Sequence, residues 1–115
     1  MSSLKPELRI KSQEWIQEDI ESLPTLELQQ VAIDFITKLA RGEVRGTRLE
    51  TKNHVGDLSD CHKLYFDLTP SDGPRYRIIF RYLPIPDKPE ILELIAIGKR
   101  EDLFVYYEAI KRLGR

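Results

Sequence analysis

One cysteine, Cys61, is all the chain has in 115 residues, so no intrachain disulfide framework can form and a reducing compartment fits. Long apolar runs are missing as well: none approaches the roughly 18–20 residues that a membrane helix needs. The opening MSSLKPELRIKS lacks the apolar centre of a secretory signal, which makes a cytoplasmic protein with no membrane partner the expectation. There is no glycine-rich phosphate loop, no nucleophile elbow and no HExxH. His54 and His62, the only histidines, do not combine with Cys61 and the nearby aspartates into a zinc spacing. No metal and no cofactor is therefore expected. An excess of one charge is also absent: 18 Lys and Arg stand against 19 Asp and Glu, which gives no general pull toward nucleic acid.

What is present is the ordinary material of one soluble domain, 41% hydrophobic and 32% charged, spanning residues 1–115 without repeat or linker. Leu8 to Lys11 reads as a first short strand with Leu8 and Ile10 on one face. Ser12 is a candidate cap for a helix whose apolar stripe is Trp15, Ile16, Ile20 and Leu23, and Pro24 ends it. Thr25 is a candidate cap for a second helix that carries Leu28, Val31, Ala32, Phe35, Ile36 and Leu39 inward and stops at Gly42. The short connection predicts an antiparallel helical hairpin. Residues 43–61 are irregular, with Gly46, Asn53 and Gly56 as breakers.

Three strands are predicted next. His62–Leu68 alternates, with Leu64, Phe66 and Leu68 on one face and Lys63, Tyr65 and Asp67 on the other. After the turn TPSDGP, Arg75–Leu83 places Tyr76, Ile78, Phe80 and Tyr82 opposite Arg75, Arg77, Ile79 and Arg81. Pro84, Pro86, Asp87 and Pro89 separate it from Ile91–Ile97, an almost unbroken apolar run that suits a strand covered on both faces. Gly98 turns the chain, Lys99 and Arg100 follow, and Asp102 is a good N-cap beside Glu101. Tyr106, Ala109, Ile110 and Leu113 then recur at helical spacing, with Gly114 as a stop. The expected fold is α+β in the order β-α-α-β-β-β-α. The helical hairpin covers one face of a small, mainly antiparallel sheet and leaves the other partly open as the only obvious concave surface.

That open face would present Lys63, Tyr65, Arg75, Arg77 and Arg81, with Lys99 and Arg100 at the strand end. Each alone reads first as part of a solvated sheet face. As a set, cations on adjacent strands next to tyrosines match what a single-stranded polynucleotide needs. Charge supports a local effect: residues 1–43 hold five Lys/Arg against eight Asp/Glu, and residues 44–115 hold thirteen against eleven.

The segments DCHK (60–63), YRIIF (76–80), IGKRE (97–101) and VYYEAIKRL (105–113) resemble the RelE branch of the RelE/ParE toxin superfamily. The motifs cover about residues 54–115, and the N-terminal half is matched by its helical hairpin alone. The resemblance implies a toxin of a type II toxin–antitoxin pair that cuts mRNA in the ribosomal A site by attack of a ribose 2′-hydroxyl, without metal. It carries the active-site roles to Lys63, Arg77, Arg100 and Tyr106. Arg77 would clamp the phosphate, and Lys63 would stabilise it or help deprotonate the 2′-hydroxyl. Arg100 would act as clamp or proton donor, and Tyr106 would stack on a base. Tyr65, Arg75, Arg81 and Lys99 would bind RNA. The implied partners are a cognate antitoxin covering the basic face, mRNA and the ribosome. The chain departs from the pattern in having Tyr65 where the family has a second lysine, and in a pI near 6.1 where the family is strongly basic. The alternative is a non-catalytic member of the superfamily: a gyrase-poisoning ParE-like toxin, or an inactive homologue that only binds an antitoxin.

Overall fold

The structure, a computed structural model, describes residues 7–49, 57–69, 73–99 and 104–115. Its elements are β1 (Arg9–Lys11), α1 (Glu14–Glu21), α2 (Leu26–Arg41), β2 (Thr47–Arg48), β3 (His62–Phe66), β4 (Tyr76–Ile85), β5 (Lys88–Lys99) and α3 (Phe104–Arg112). The expected α+β order holds, with one addition: the short strand β2 inside the irregular stretch. The five strands form one sheet in the order β1-β5-β4-β3-β2, with β1 parallel to β5 and every other pair antiparallel.

Local chemistry sets the helix ends. The N–H of Leu28 donates to Thr25 Oγ1 at 3.0 Å, the capping bond expected of a threonine with extended backbone. At the other end of α2, Gly42 sits at φ +75°, where only glycine is unstrained, and the N–H of Glu43 reaches back to the Lys38 carbonyl. The start of α1 differs from expectation. Gln13, not Ser12, is the capping residue, and its side chain makes no capping bond.

The core lies on both faces of the sheet. On one face α1 and α2 bury Ile16, Ile20, Leu28, Ala32, Ile36 and Leu39 against Phe66, Ile78, Phe80 and Leu92. On the other, Val105, Tyr106 and Ala109 of α3 pack against Ile79, Ile95 and Ala96, with Leu49, Leu58 and Cys61 beside them. The face expected to lie partly open thus carries a second core. Ile79, sitting among arginines on β4, is the residue that anchors it.

β5 carries one extra residue within this two-sided strand. Ile79 pairs with Ala96 but Phe80 pairs with Leu94, so Ile95 is the bulged residue. Ile95 and Ala96 both join the α3 side, and Ile97 returns to the side of α1 and α2. The prolines expected to end β4 lie instead within a long β4–β5 hairpin: Pro84 pairs with Pro89 and Ile85 with Lys88.

Both faces are joined at the sheet edge. β1 pairs with β5 only over Ile91–Glu93, leaving backbone groups further along β5 without a strand neighbour. Asp19 of α1 accepts from the Ile97 N–H at 2.9 Å, and Arg112 of α3 donates to the Ile95 carbonyl at 3.0 Å. The two side chains meet each other in a bidentate pair at 2.7 and 3.0 Å.

Candidate active site

Register brings the central residues together. Side-chain alternation puts Lys63 and Tyr65 on the α3 side of β3, and the pairings Tyr65 with Arg77 and Arg77 with Gly98 set them in a row across three strands. The Arg77 guanidinium lies over the Tyr65 ring, 4.5 Å from its centre, and 5.1 Å from the centre of the Tyr106 ring. Arg77 also donates a hydrogen bond from Nη1 to the Tyr106 hydroxyl. Lys63 Nζ stands 5.0 Å from the centre of the same Tyr65 ring. The result is one cluster: Arg77 held between two tyrosines, and a lysine sharing one of them.

The burial pattern corrects the picture of a wet basic face. Arg77 is only 6% exposed and Tyr106 equally so, whereas Tyr65 remains 39% exposed. Two aromatic faces against a guanidinium favour a planar, fixed cation by cation–π attraction.

Other expected RNA-binding residues are placed differently. Arg75 is bound to Asp67 through two donors, Nε at 2.7 Å and Nη2 at 2.8 Å, and this pair holds the Asp67 carboxyl well below the usual carboxylate range. Arg81 bridges Glu93 at 2.6 Å and Asp60 at 3.1 Å. Lys99 is exposed, and it pairs with Tyr76, whose side chain lies on the α1–α2 side of the sheet, away from Arg77. Arg100 falls outside the described residues, as do Glu101, Asp102, His54 and the centre of the TPSDGP turn. The structure therefore unites Lys63, Tyr65, Arg77 and Tyr106, and ties Arg75 and Arg81 to carboxylates.

Neighbouring groups are chemically quiet. The Cys61 thiol is fully buried, and desolvation together with the Asp60 carboxylate pushes its pKa up to about 12, so it stays a thiol. Burial, with Arg48 and Arg45 nearby, lowers the pKa of His62 and keeps it neutral. Asp60, gripped by Arg115 at 2.6 and 2.7 Å, is held well below the usual carboxylate range. Among the described residues no three His, Cys, Asp or Glu side chains gather as a metal would need. No described helix is long and apolar enough to cross a membrane.

No family model matches the sequence, and no curated protein matches it. Solved structures do. The E. coli toxin RelE, in the free state with two arginines replaced by alanine, matches with a TM-score of 0.61 at 18% identity, over 93% of this chain and 98% of that one. The isolated E. coli RelE toxin in a P21 crystal form matches with a TM-score of 0.51 at 22% identity, over 92% and 98%. The double mutant in complex with a peptide of the antitoxin RelB matches with a TM-score of 0.52 at 23% identity, over 92% and 97%. The matches extend over nearly the whole length of both chains, and this chain has the RelE toxin fold.

Proposed function

We propose that the chain is the toxin of a type II toxin–antitoxin pair and an endoribonuclease that cleaves ribosome-bound mRNA without metal. The observation that carries the reading is the Arg77 guanidinium clamped between Tyr65 and Tyr106 beside Lys63. The RelE fold supports it, and the complex of RelE with an antitoxin peptide supports an antitoxin partner.

The reaction is an in-line displacement. The 2′-oxygen bonds to the adjacent phosphorus, its proton leaves to a base, and the 5′-oxygen departs with a proton. The products are a 2′,3′-cyclic phosphate and a 5′-hydroxyl. The transition state spreads extra negative charge over the phosphoryl oxygens, and fixed cations stabilise it most when they need not reorganise. Arg77 is such a cation. Lys63, with Nζ 5.0 Å from the centre of the Tyr65 ring, neutralises the phosphate or takes the 2′-proton. Tyr106, whose ring is buried against Arg77 and the α3-side core, orients Arg77 through its hydroxyl and does not present a stacking face to a base as expected from the resemblance. Arg100 is the remaining candidate clamp or proton donor.

Expression of the wild type alone should stop translation and growth and leave mRNA cut with 5′-hydroxyl ends. Arg77→Ala and Arg100→Ala should abolish both effects at equal protein level. Intact mRNA with accumulating DNA breaks would replace this reading by the gyrase-directed one. Unaffected growth at good expression would leave an antitoxin-binding module.

A further inference from the structure

Two arginines at the β2 end of the sheet carry charge that no acidic side chain meets. Arg45 and Arg48 are exposed and make no ion pair among the described residues, whereas Arg41, Arg75, Arg81, Arg112 and Arg115 each hold a carboxylate. Arg45 lies over the Tyr82 ring, 5.6 Å from its centre, and Arg48 stands opposite His62 in the pairing of β2 with β3. The Nε of Arg48 donates to the Ser59 carbonyl at 2.9 Å, which fixes that guanidinium.

His62 joins the two. It is 8% exposed, meets the Tyr82 ring edge-on at 5.0 Å between centres, and its buried Nδ1 has no hydrogen-bond partner among the described residues. Buried polar atoms are almost always paired, so one left open beside a cavity points to a group supplied from outside. The cavity holds about 150 Å³ and is lined by Arg48, His62, Tyr82 and Pro86, with Arg81 and Asp60 also in its wall. Asp60 opposes an anion only weakly, because Arg115 holds both its oxygens and Arg81 one of them. Glu93 offsets Arg81 in turn. The charge left over is that of Arg45 and Arg48, and both add to burial in lowering the His62 pKa.

We propose that Arg45, Arg48 and His62 form a phosphate site on the side of the sheet opposite Arg77, taking a phosphate monoester or inorganic phosphate. His62 shares with Phe80 and Tyr82 the side that faces α1 and α2, so the site is separate from the Arg77 cluster and does not rest on the nuclease reading. Two guanidiniums without carboxylates match a dianion better than a single carboxylate, and their forked donors suit phosphate oxygens. A bound dianion cancels the field of the two arginines at His62 and favours its protonated form. The rest of an ester has a place to lie. A neighbouring cleft of about 310 Å³ shares Tyr82 and Pro86, is lined by Arg45 and Asp87, and has apolar walls at Leu8, Leu39 and Pro89.

The test follows His62 by proton NMR in the full-length His54→Gln protein, where its ring gives the single histidine signal. Inorganic phosphate, with ionic strength matched by chloride, should raise the titration midpoint of His62. Arg45→Gln and Arg48→Gln should each raise that midpoint in the absence of phosphate, and each should weaken phosphate binding about 10-fold or more. Thermal melts that match the parent confirm that these variants, altered at exposed positions, are folded. A nucleoside 5′-monophosphate that binds about tenfold more tightly than inorganic phosphate assigns the apolar cleft to the nucleoside. Equal affinity assigns the site to the phosphate group alone. A His62 midpoint that phosphate does not move, or that chloride moves equally, overturns the proposal. A response to a glutamate-rich peptide with none to phosphate also overturns it, since the arginines then serve a protein.

Discussion

Replacing Asp19 by alanine should be the most damaging single change outside the two cores. The carboxylate accepts three hydrogen bonds, two from Arg112 and one from the Ile97 N–H. The two side chains are 15% and 13% exposed, so water reaches them only in part. Removing one partner of a fully buried pair costs about 3–5 kcal/mol, mostly because the other charge is left without compensation. Here Arg112 keeps the Ile95 carbonyl, Glu108 at 3.6 Å and the Trp15 ring, 5.2 Å away, which softens the loss. We expect about 2–4 kcal/mol for Asp19→Ala, and a similar loss for Arg112→Ala. Urea unfolding followed by tryptophan fluorescence measures it directly, since Trp15 lies under Arg112. The double variant Asp19→Leu/Arg112→Met should recover at least ~1.5 kcal/mol relative to the sum of the single leucine and methionine variants, because neither charge is then stranded. Coupling below about 0.5 kcal/mol, or single losses below about 1 kcal/mol, would show the pair to behave like a surface ion pair. In that case the edge of β5 is held by something else.

The remaining predictions are independent of the proposed activity. A Cβ on Gly46 would fall against the Lys63 carbonyl oxygen and 2.6 Å from the Phe80 ring, so Gly46→Ala should cost about 1–3 kcal/mol in chemical denaturation although the change is one methyl group. Asp67 is held below its usual pKa by Arg75, so its stabilising effect is complete above pH ~4 and lost as pH falls through the folded value. The stability gap between wild type and Asp67→Asn should therefore close on acidification from pH 5 to 2. His62 has the reverse character: its folded pKa lies below the 6.5 of an ordinary histidine, so the unfolded chain takes the proton more readily. Wild-type stability should fall as pH drops from 7 toward 5, and His62→Phe, on the same packed face with Phe80 and Tyr82, should flatten that slope.

Much of the architecture could be read from the residues because the signals were local. Thr25 and Gly42 bracket α2 by bonds that a helix end always needs, and the alternation in His62–Phe66 and Tyr76–Leu83 assigns faces within each strand. The union of Lys63, Tyr65, Arg77 and Tyr106 followed from those faces together with the resemblance. Pairing between distant residues was less accessible. Whether Arg75 and Arg81 are free to meet RNA depends on Asp67, Asp60 and Glu93 standing opposite, which only the register reveals. Lys99 was grouped with the site because it follows the strand, but its pairing with Tyr76 puts it on the other face. The cover provided by α3 was hidden for a related reason. Ile79 looked like a lone apolar residue on a polar face, and the matching surface of Val105 and Ala109 lies some thirty positions away. The exchange of proline-rich turn for hairpin had the same origin: Pro84, Pro86 and Pro89 sit where the β4–β5 pairing tolerates missing donors.

The added residue at Ile95 divides β5 into two halves read in opposite phase. Deleting Ile95 or Ala96 would leave a single residue on the α3 side between Leu94 and Ile97, so the ladder would become regular and the second half would keep its faces. Pairing the full-length strand without the bulge would instead aim Ile97 toward α3, turn Gly98 toward α1 and α2, and carry Lys99 around to the side of Arg77. A homologue aligned without a gap at this point would appear to have its last strand inverted, and its cations would be assigned to the wrong surface. The placement of charge around Arg77 therefore depends on the bulge at Ile95 as much as on the basic residues themselves.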